Sequence, residues 1–303
     1  MYNRCFKCVA RLHVILCSAH RCLYLMERGG SYMSPFLSNP TTWEPEEWNY
    51  LNQELRLTDQ IAEDNTYSVT SAELLDPEQC ADYLDRLQPL YRSSSRSLTA
   101  SMFSKRYAFM MVCPMLYAMS VYRKTFSLTI DNCQLESAYF QLPTRKTWMP
   151  NLWLHDPSVY ELQSIHAENN ELYTQQREDI VRRIFADHLQ PILKNISEVS
   201  SISRTILWEN IAIYVYVLYE NRILKEVSED QRQRIQHDLD YLTKQAPADC
   251  FGEKRNPLAQ FYTPKRVVPL SEQPQRVRKT CCAHYELPAP TDYCPTCPKI
   301  CKS

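Results

Sequence analysis

The sequence predicts an α+β fold, predominantly helical, with a small antiparallel sheet and an extended C-terminal cysteine-rich arm. Three observations carry this expectation. Most of the chain repeats apolar residues at helical spacing, residues 125–155 switch to alternation with period two, and after Ala246 proline recurs at Pro247, Pro257, Pro264, Pro269 and Pro274, too often for regular structure.

Pro45-Glu46-Glu47 opens a helical pattern through about Leu57, with proline and acidic residues placed where a helix N-terminus favours them. Asp76-Pro77-Glu78 repeats the signature before a helix to about Tyr91. Residues 94–121 read as a third helix, which Pro114 is expected to kink. Within it begins the longest strongly apolar stretch, the sixteen residues from Tyr107 to Tyr122. That is shorter than the ~20 residues a membrane-spanning helix needs, so it is read as a buried core helix.

Phe126–Ile130, Ala138–Leu142 and Trp148–Leu154 alternate as short strands do. Residues 172–194 place Ile180, Val181, Ile184, Phe185, Leu189, Ile192 and Leu193 on one face, and Arg182, Arg183 and Asp187 away from it. Ser203–Glu226 is apolar nearly all round between Ile211 and Tyr219 and is expected to be the central buried helix; residues 228–245 form an amphipathic cover.

Three regions follow. Residues 33–246 form the helical core domain, and 247–303 a proline-rich basic arm with a metal-binding motif. Residues 1–32 read as an upstream leader, with the true start at Met33. Its Arg4, Lys7 and Arg11 before the apolar run Leu12–Cys17 superficially resemble a secretory signal, but His13 breaks the run and no A-x-A site follows. Cys5, Cys8, Cys17 and Cys22 in this leader form a second set of thiols suited to a structural zinc ion.

Composition narrows the function. A formal charge of −1 and a pI near 6.7 lack the basic excess of a nucleic-acid or anionic-membrane binder. The chain has three glycines, Gly29, Gly30 and Gly252, so neither GxGxxG nor GxxxxGK[ST] is present. Thirteen cysteines are concentrated at the two ends, which fits metal binding in a reducing compartment better than a disulfide framework. The protein is read as cytoplasmic, with no stable membrane insertion.

The terminal group reads Cys281-Cys282, eleven residues, then Cys294-Pro295-Thr296-Cys297. Four thiolates within seventeen residues meet the requirement of a [2Fe-2S] cluster, two per iron. Pro288 and Pro290 stiffen the loop between them, lowering the entropy lost on closure. A four-cysteine zinc site uses the same ligands but normally pairs two CxxC grips. A reactive dithiol remains a third reading, although CxxC here lacks a thioredoxin-like context. His284 is one histidine where a Rieske centre needs two, and Cys301 is a spare fifth thiol. Between Phe251 and Thr280, seven Lys or Arg stand against two Glu, a net of +5. Arg276, Arg278 and Lys279, nearest the cysteines, are candidates to dock an anionic substrate or an acidic electron donor, or to be a solvated basic face.

The segment Arg278–Pro298 resembles the C-terminal cluster motif of the FhuF-like ferric siderophore reductase family: two adjacent cysteines, about ten residues, then CxxC followed by Pro. Here the intervening loop has eleven residues. His188-Leu189-Gln190-Pro191 and Trp208-Glu209-Asn210-Ile211-Ala212 also resemble the helical part of that family, so the likeness runs from about residue 170 to 301. Siderophore synthetases of the IucA/IucC type share a distant helical likeness, but this chain lacks their length and any recognisable ATP site. The resemblance implies a [2Fe-2S] cluster on Cys281, Cys282, Cys294 and Cys297. It further implies one-electron reduction of a ferric siderophore in iron uptake, a donor of ferredoxin or flavoprotein type, and transient association with a siderophore importer. A cluster-bearing sensor or interaction protein of iron homeostasis and a zinc-stabilised helical scaffold are the competing classes. The aromatic residues, and His155, His166, His188 and His237, are assigned to structure rather than to chemistry.

Overall fold

The acidic, proline-led segments start helices where expected. The computed structural model describes residues 39–141, 146–162, 170–288 and 293–301; the expectations for residues 1–32, with their four cysteines, and for His166 lie outside the described residues. Helix α1 (Pro45–Gln53) begins at Glu44, whose N–H donates to the Glu47 carboxylate at 2.9 Å. It ends four residues earlier than expected because Arg56 takes a positive φ of 64° and donates to the carbonyls of Met149 and Pro150. Helix α2 (Pro77–Tyr91) is capped by Asp76, which accepts from the N–H groups of Glu78 and Gln79, both at 2.9 Å.

Helix α3 (Arg96–Tyr117) is the buried helix that the apolar stretch announces, with residues buried on every side. It runs through Pro114 and then widens into a π-helical turn, Ala118–Tyr122. Further π-helical segments interrupt the later helices. Helix α4 (Asn170–Arg182) passes through the π segment Arg183–Leu189 into α5 (Gln190–Ser200). Helix α6 (Arg204–Val217) passes through Leu218–Ile223 into the short α7 (Leu224–Glu226), and α8 (Glu229–Asp240) ends in Tyr241–Gln245. One wide turn shifts the register of everything after it. Ser120 and Tyr219, each in such a turn, meet at 2.7 Å, and Ser120 and Tyr173 donate to the fully buried Asp238.

Short strands surround the helices: β1 (Pro40–Thr41), β2 (Leu57–Thr58), β3 (Val69–Thr70), β4 (Lys124–Phe126), β5 (Cys133–Glu136), β6 (Tyr139–Gln141), β7 (Lys146–Trp148), β8 (Asn151–Leu154) and β9 (Val159–Glu161). They form sheets ordered β2-β8-β5-β3 and β1-β9-β4 and a hairpin β6-β7, antiparallel apart from the β2–β8 pair. The alternation from Phe126 to Ile130 does not become one strand. Leu128 is buried with its carbonyl facing His188, and Ile130–Asn132 closes a 3-10 turn.

The region after Ala246 is not an extended arm. Helix α9 (Pro257–Phe261) packs on α6, and β10 (Lys265–Val268) and β11 (Ser271–Arg276) form a hairpin. Pro274 fits in β11 because a two-stranded ribbon leaves outward N–H positions unpaired, and the residue is exposed. The short helix α10 (Pro298–Cys301) ends the described chain.

His188 is wholly buried and shows how the π segment is satisfied. Its Nδ1 lies 2.9 Å from the Leu128 carbonyl and therefore carries the proton. Nε2 is left to accept from Tyr107 Oη at 2.8 Å, and Tyr107 in turn accepts from Ser71. Burial lowers the His188 pKa from 6.5 to about 4. The folded state thus binds fewer protons than the unfolded chain between these values, so stability falls as pH drops from about 6.5 toward 4. The loss attributable to this residue is about 3 kcal/mol at pH 4. Denaturant midpoints measured from pH 7 to pH 4 should show a shallower slope in His188→Gln than in wild type; parallel slopes would show that His188 does not contribute.

Candidate functional site

The C-terminal segment is fastened to the helical body by the polar residues of an otherwise apolar helix. Helix α6 carries Glu209 and Asn210, 2% and 1% exposed. A carboxylate at that depth is tolerated only with partners. Glu209 accepts from the N–H groups of Lys279 at 2.6 Å and Thr280 at 2.8 Å, accepts from the Thr280 hydroxyl, and lies 3.6 Å from Arg278 Nε. Asn210 accepts from the Arg278 guanidinium at 2.6 Å and donates to Ser101 O at 3.0 Å and Ser104 Oγ at 2.9 Å on α3. Ser101 Oγ donates to the carbonyl of Cys282 at 2.8 Å. The chain from Arg278 to Cys282 is therefore gripped by α3 and α6 together.

The second half of the motif is joined to the first through Arg278 N–H, which donates to Thr296 O at 3.0 Å. A 2.9 Å bond from Cys297 N–H to Cys294 O closes the CxxC turn, and α10 follows directly. All four cysteines are free thiols; Cys282 and Cys297 are buried, and Cys281 and Cys294 are half-buried. Cys282 neighbours Cys294, and Cys281 neighbours both Cys297 and Cys282. The fifth thiol, Cys301, donates to Pro295 O at 3.4 Å and packs in a small apolar group with Val268 and Val277.

Donors converge on the sulfurs. Lys105 Nζ lies 3.0 Å from Cys282 Sγ. The chain turns at Ala283, φ 58°, with its N–H 3.4 Å from Cys281 Sγ, and Thr296 Oγ1 lies 3.8 Å from Cys294 Sγ. The hydrogen bond from Cys294, then the charges of Lys105 and Arg278, hold the Cys282 thiol far below its ordinary pKa despite burial. Cys294, the donor of that bond, is pushed up, and burial raises Cys281. A metal ligand must be a thiolate, and at Cys282 the surroundings favour that form. Four thiols fit a two-iron cluster in number. Among the described residues no three Cys, His, Asp or Glu side chains gather about a point that could hold a single ion.

Of the three basic candidates upstream, Arg278 and Arg276 are engaged by acids of the helical body. Arg278 is 5% exposed and engaged with Glu209, Asn210 and Thr280 O. Arg276 pairs with Glu220 and lies 3.7 Å from the centre of the Tyr262 ring. A buried helix carboxylate and a half-buried acid draw both inward; Lys279 is exposed, its ammonium donating to Gln260 O. Sequence reasoning did not single out Lys105, Ser101 or Asn210 for the site. The available signal was a Glu-Asn pair inside a helix that is otherwise apolar. Beside the CxxC turn, Ile213, Tyr216, Val217, Lys265, Arg276 and Thr296 line a groove of about 260 Å³.

Fold and site together define a helical protein built around a polythiol centre. Residues 101–273 match the family described as ferric iron reductase FhuF-like transporter, and residues 278–299 match the FhuF 2Fe-2S C-terminal domain. The first match spans more than half of the chain, which belongs to the FhuF-like ferric iron reductase family and carries a [2Fe-2S] cluster. Among solved structures, aerobactin synthetase IucC from a hypervirulent pathotype of Klebsiella pneumoniae aligns at 11% identity with a TM-score of 0.42. The alignment covers 63% of this chain and 36% of that one. No curated protein matches the chain.

Glu209→Ala would leave Arg278 and two backbone donors buried without their carboxylate, a change of the kind that costs about 3–5 kcal/mol. Amide exchange across residues 278–282 should quicken markedly in this variant while α2 keeps its protection. Unaltered exchange in the cysteine segment would contradict the clamp.

Proposed function

We propose that the protein is a cytosolic one-electron reductase of ferric siderophores. Cys281, Cys282, Cys294 and Cys297 are its cluster ligands, Cys282 with Cys294 on one iron and Cys281 with Cys297 on the other. The fastening of both halves of the cysteine motif to one another and to α3 beside the Lys105 ammonium is the observation that carries this reading, and the family's ferric iron reductase description supports it. When bound, the cluster supplies single electrons, the number that separates Fe³⁺ from Fe²⁺.

The chain's own residues arrange the rest. Glu209, Asn210 and Ser101 fix the backbone that presents the thiols, so their spacing is set before metal arrives. Cys282 and Cys297 anchor the site inside, whereas Cys281 and Cys294 reach the surface where a substrate can approach. The groove beside Thr296 is the proposed seat of the chelate, one residue from Cys297. Glu220 pairs with Lys265 and Arg276 in its lining, and with Lys225 the cations outnumber that acid, which suits a chelate with anionic oxygens; Ile213 and Val217 suit an apolar backbone. The electron comes from a donor of ferredoxin or flavoprotein type. One electron converts bound Fe³⁺ to Fe²⁺, which oxygen-rich chelators hold far less tightly, and the metal leaves. Among the described residues no helix is long and apolar enough to cross a membrane, which is compatible with action on chelates already imported.

Dithionite-reduced protein, mixed anaerobically with hydroxamate, catecholate or citrate ferric chelates in the presence of a ferrous trap, is expected to re-oxidise with one Fe²⁺ trapped per electron. Serine at any of the four positions should abolish the visible bands, and Cys301→Ser should keep them. An intact cluster that none of these chelates re-oxidises would refute the reductase reading and favour a sensor.

A further inference from the structure

Lys105 and Ser101 lie one helical turn apart on the same face of α3, and both reach the same cysteine. Ser101 holds the carbonyl of Cys282 at 2.8 Å, and the Lys105 ammonium lies 3.0 Å from its sulfur. The other donors on this group of sulfurs, the Ala283 amide and the Thr296 hydroxyl, are neutral. Neighbouring cations are held elsewhere. Arg278 faces Asn210 and Glu209, and Lys299 lies 3.9 Å from the centre of the Tyr285 ring. Among the described residues, Lys105 is thus the full positive charge in hydrogen-bond contact with a proposed ligand sulfur.

We infer that Lys105 tunes the cluster: through its charged hydrogen bond to Cys282 Sγ it stabilises the reduced, more negative state and so raises the reduction potential. The inference rests on the ligand reading above. Hydrogen bonds with an ionised partner are roughly twice as strong as neutral ones. Bonds to the sulfurs and local net charge are among the protein's means of setting an iron-sulfur potential. An added electron increases the negative charge facing the ammonium, so the interaction gains more in the reduced state than in the oxidised one. A lysine that merely packs against the loop would stabilise both states alike. Because Ser101 holds the backbone from the same helix, the ammonium-to-sulfur distance does not depend on a mobile surface loop.

The test is an EPR-monitored redox titration of the full chain, anaerobically purified, as wild type, Lys105→Met and Lys105→Arg. In Lys105→Met the reduced-to-oxidised ratio at fixed potential is expected to fall about tenfold, a midpoint lowered by about 59 mV for one electron. Lys105→Arg, which keeps charge and donor, should retain most of the wild-type potential. Should Lys105→Met fail to assemble the centre, Lys105→Gln carries the test with a smaller shift in the same direction. A full EPR signal with an unmoved midpoint in either neutral variant overturns the inference. Wild-type protein with no such signal would instead sink the ligand assignment on which it rests.

Discussion

The buried polar contact between α6 and the cysteine segment is the constraint around which the rest of the site is arranged. Glu209, Asn210 and Arg278 are each almost removed from water, and each is costly there unless the other two are in place. Their mutual satisfaction fixes the backbone at Lys279 and Thr280, immediately before the adjacent cysteines. Asn210 passes the constraint to α3 through Ser101 and Ser104, and Ser101 passes it to Cys282. A loop rich in proline and short of regular structure thereby acquires the rigidity of two packed helices.

Much of the helical frame was legible because its periodicity is strong. The apolar character of residues 107–122 and 211–219 announces buried helices, and α3 and α6 are both buried and packed on one another. The π-helical turns were not legible, since one extra residue per turn leaves no compositional trace, yet they decide which face Ser120 and Tyr219 present. Strand length was overestimated after Phe126 for a local reason: the carbonyl of Leu128 serves His188, a partner sixty residues away in sequence.

At the site, spacing revealed the number of thiols but not their pairing. Pairing depends on where the eleven-residue loop returns, and that is set by the Arg278–Thr296 backbone bond and by contacts with α3. The basic run is placed by acids far from it in sequence. Lys and Arg before a metal motif suggest an exposed face, but Glu209 and Glu220, distant in sequence, turn Arg278 and Arg276 inward. Lys105 stands two residues before the apolar stretch that begins at Tyr107, and its partner lies 177 residues away in sequence. Proline recurrence after Ala246 likewise pointed to an extended arm, whereas α9 and the β10–β11 hairpin pack there with their prolines at a helix start and on an exposed ribbon.

If the clamp couples the cluster to the helical body, the two are lost together, because neither α6 nor the thiol segment keeps its buried charges satisfied alone. Thermal unfolding of the anaerobic holoprotein, followed at once by visible absorption and far-UV circular dichroism, measures this directly. The account predicts coincident transitions with a single midpoint. A separate, earlier loss of the visible bands while the helical signal stays intact would contradict it.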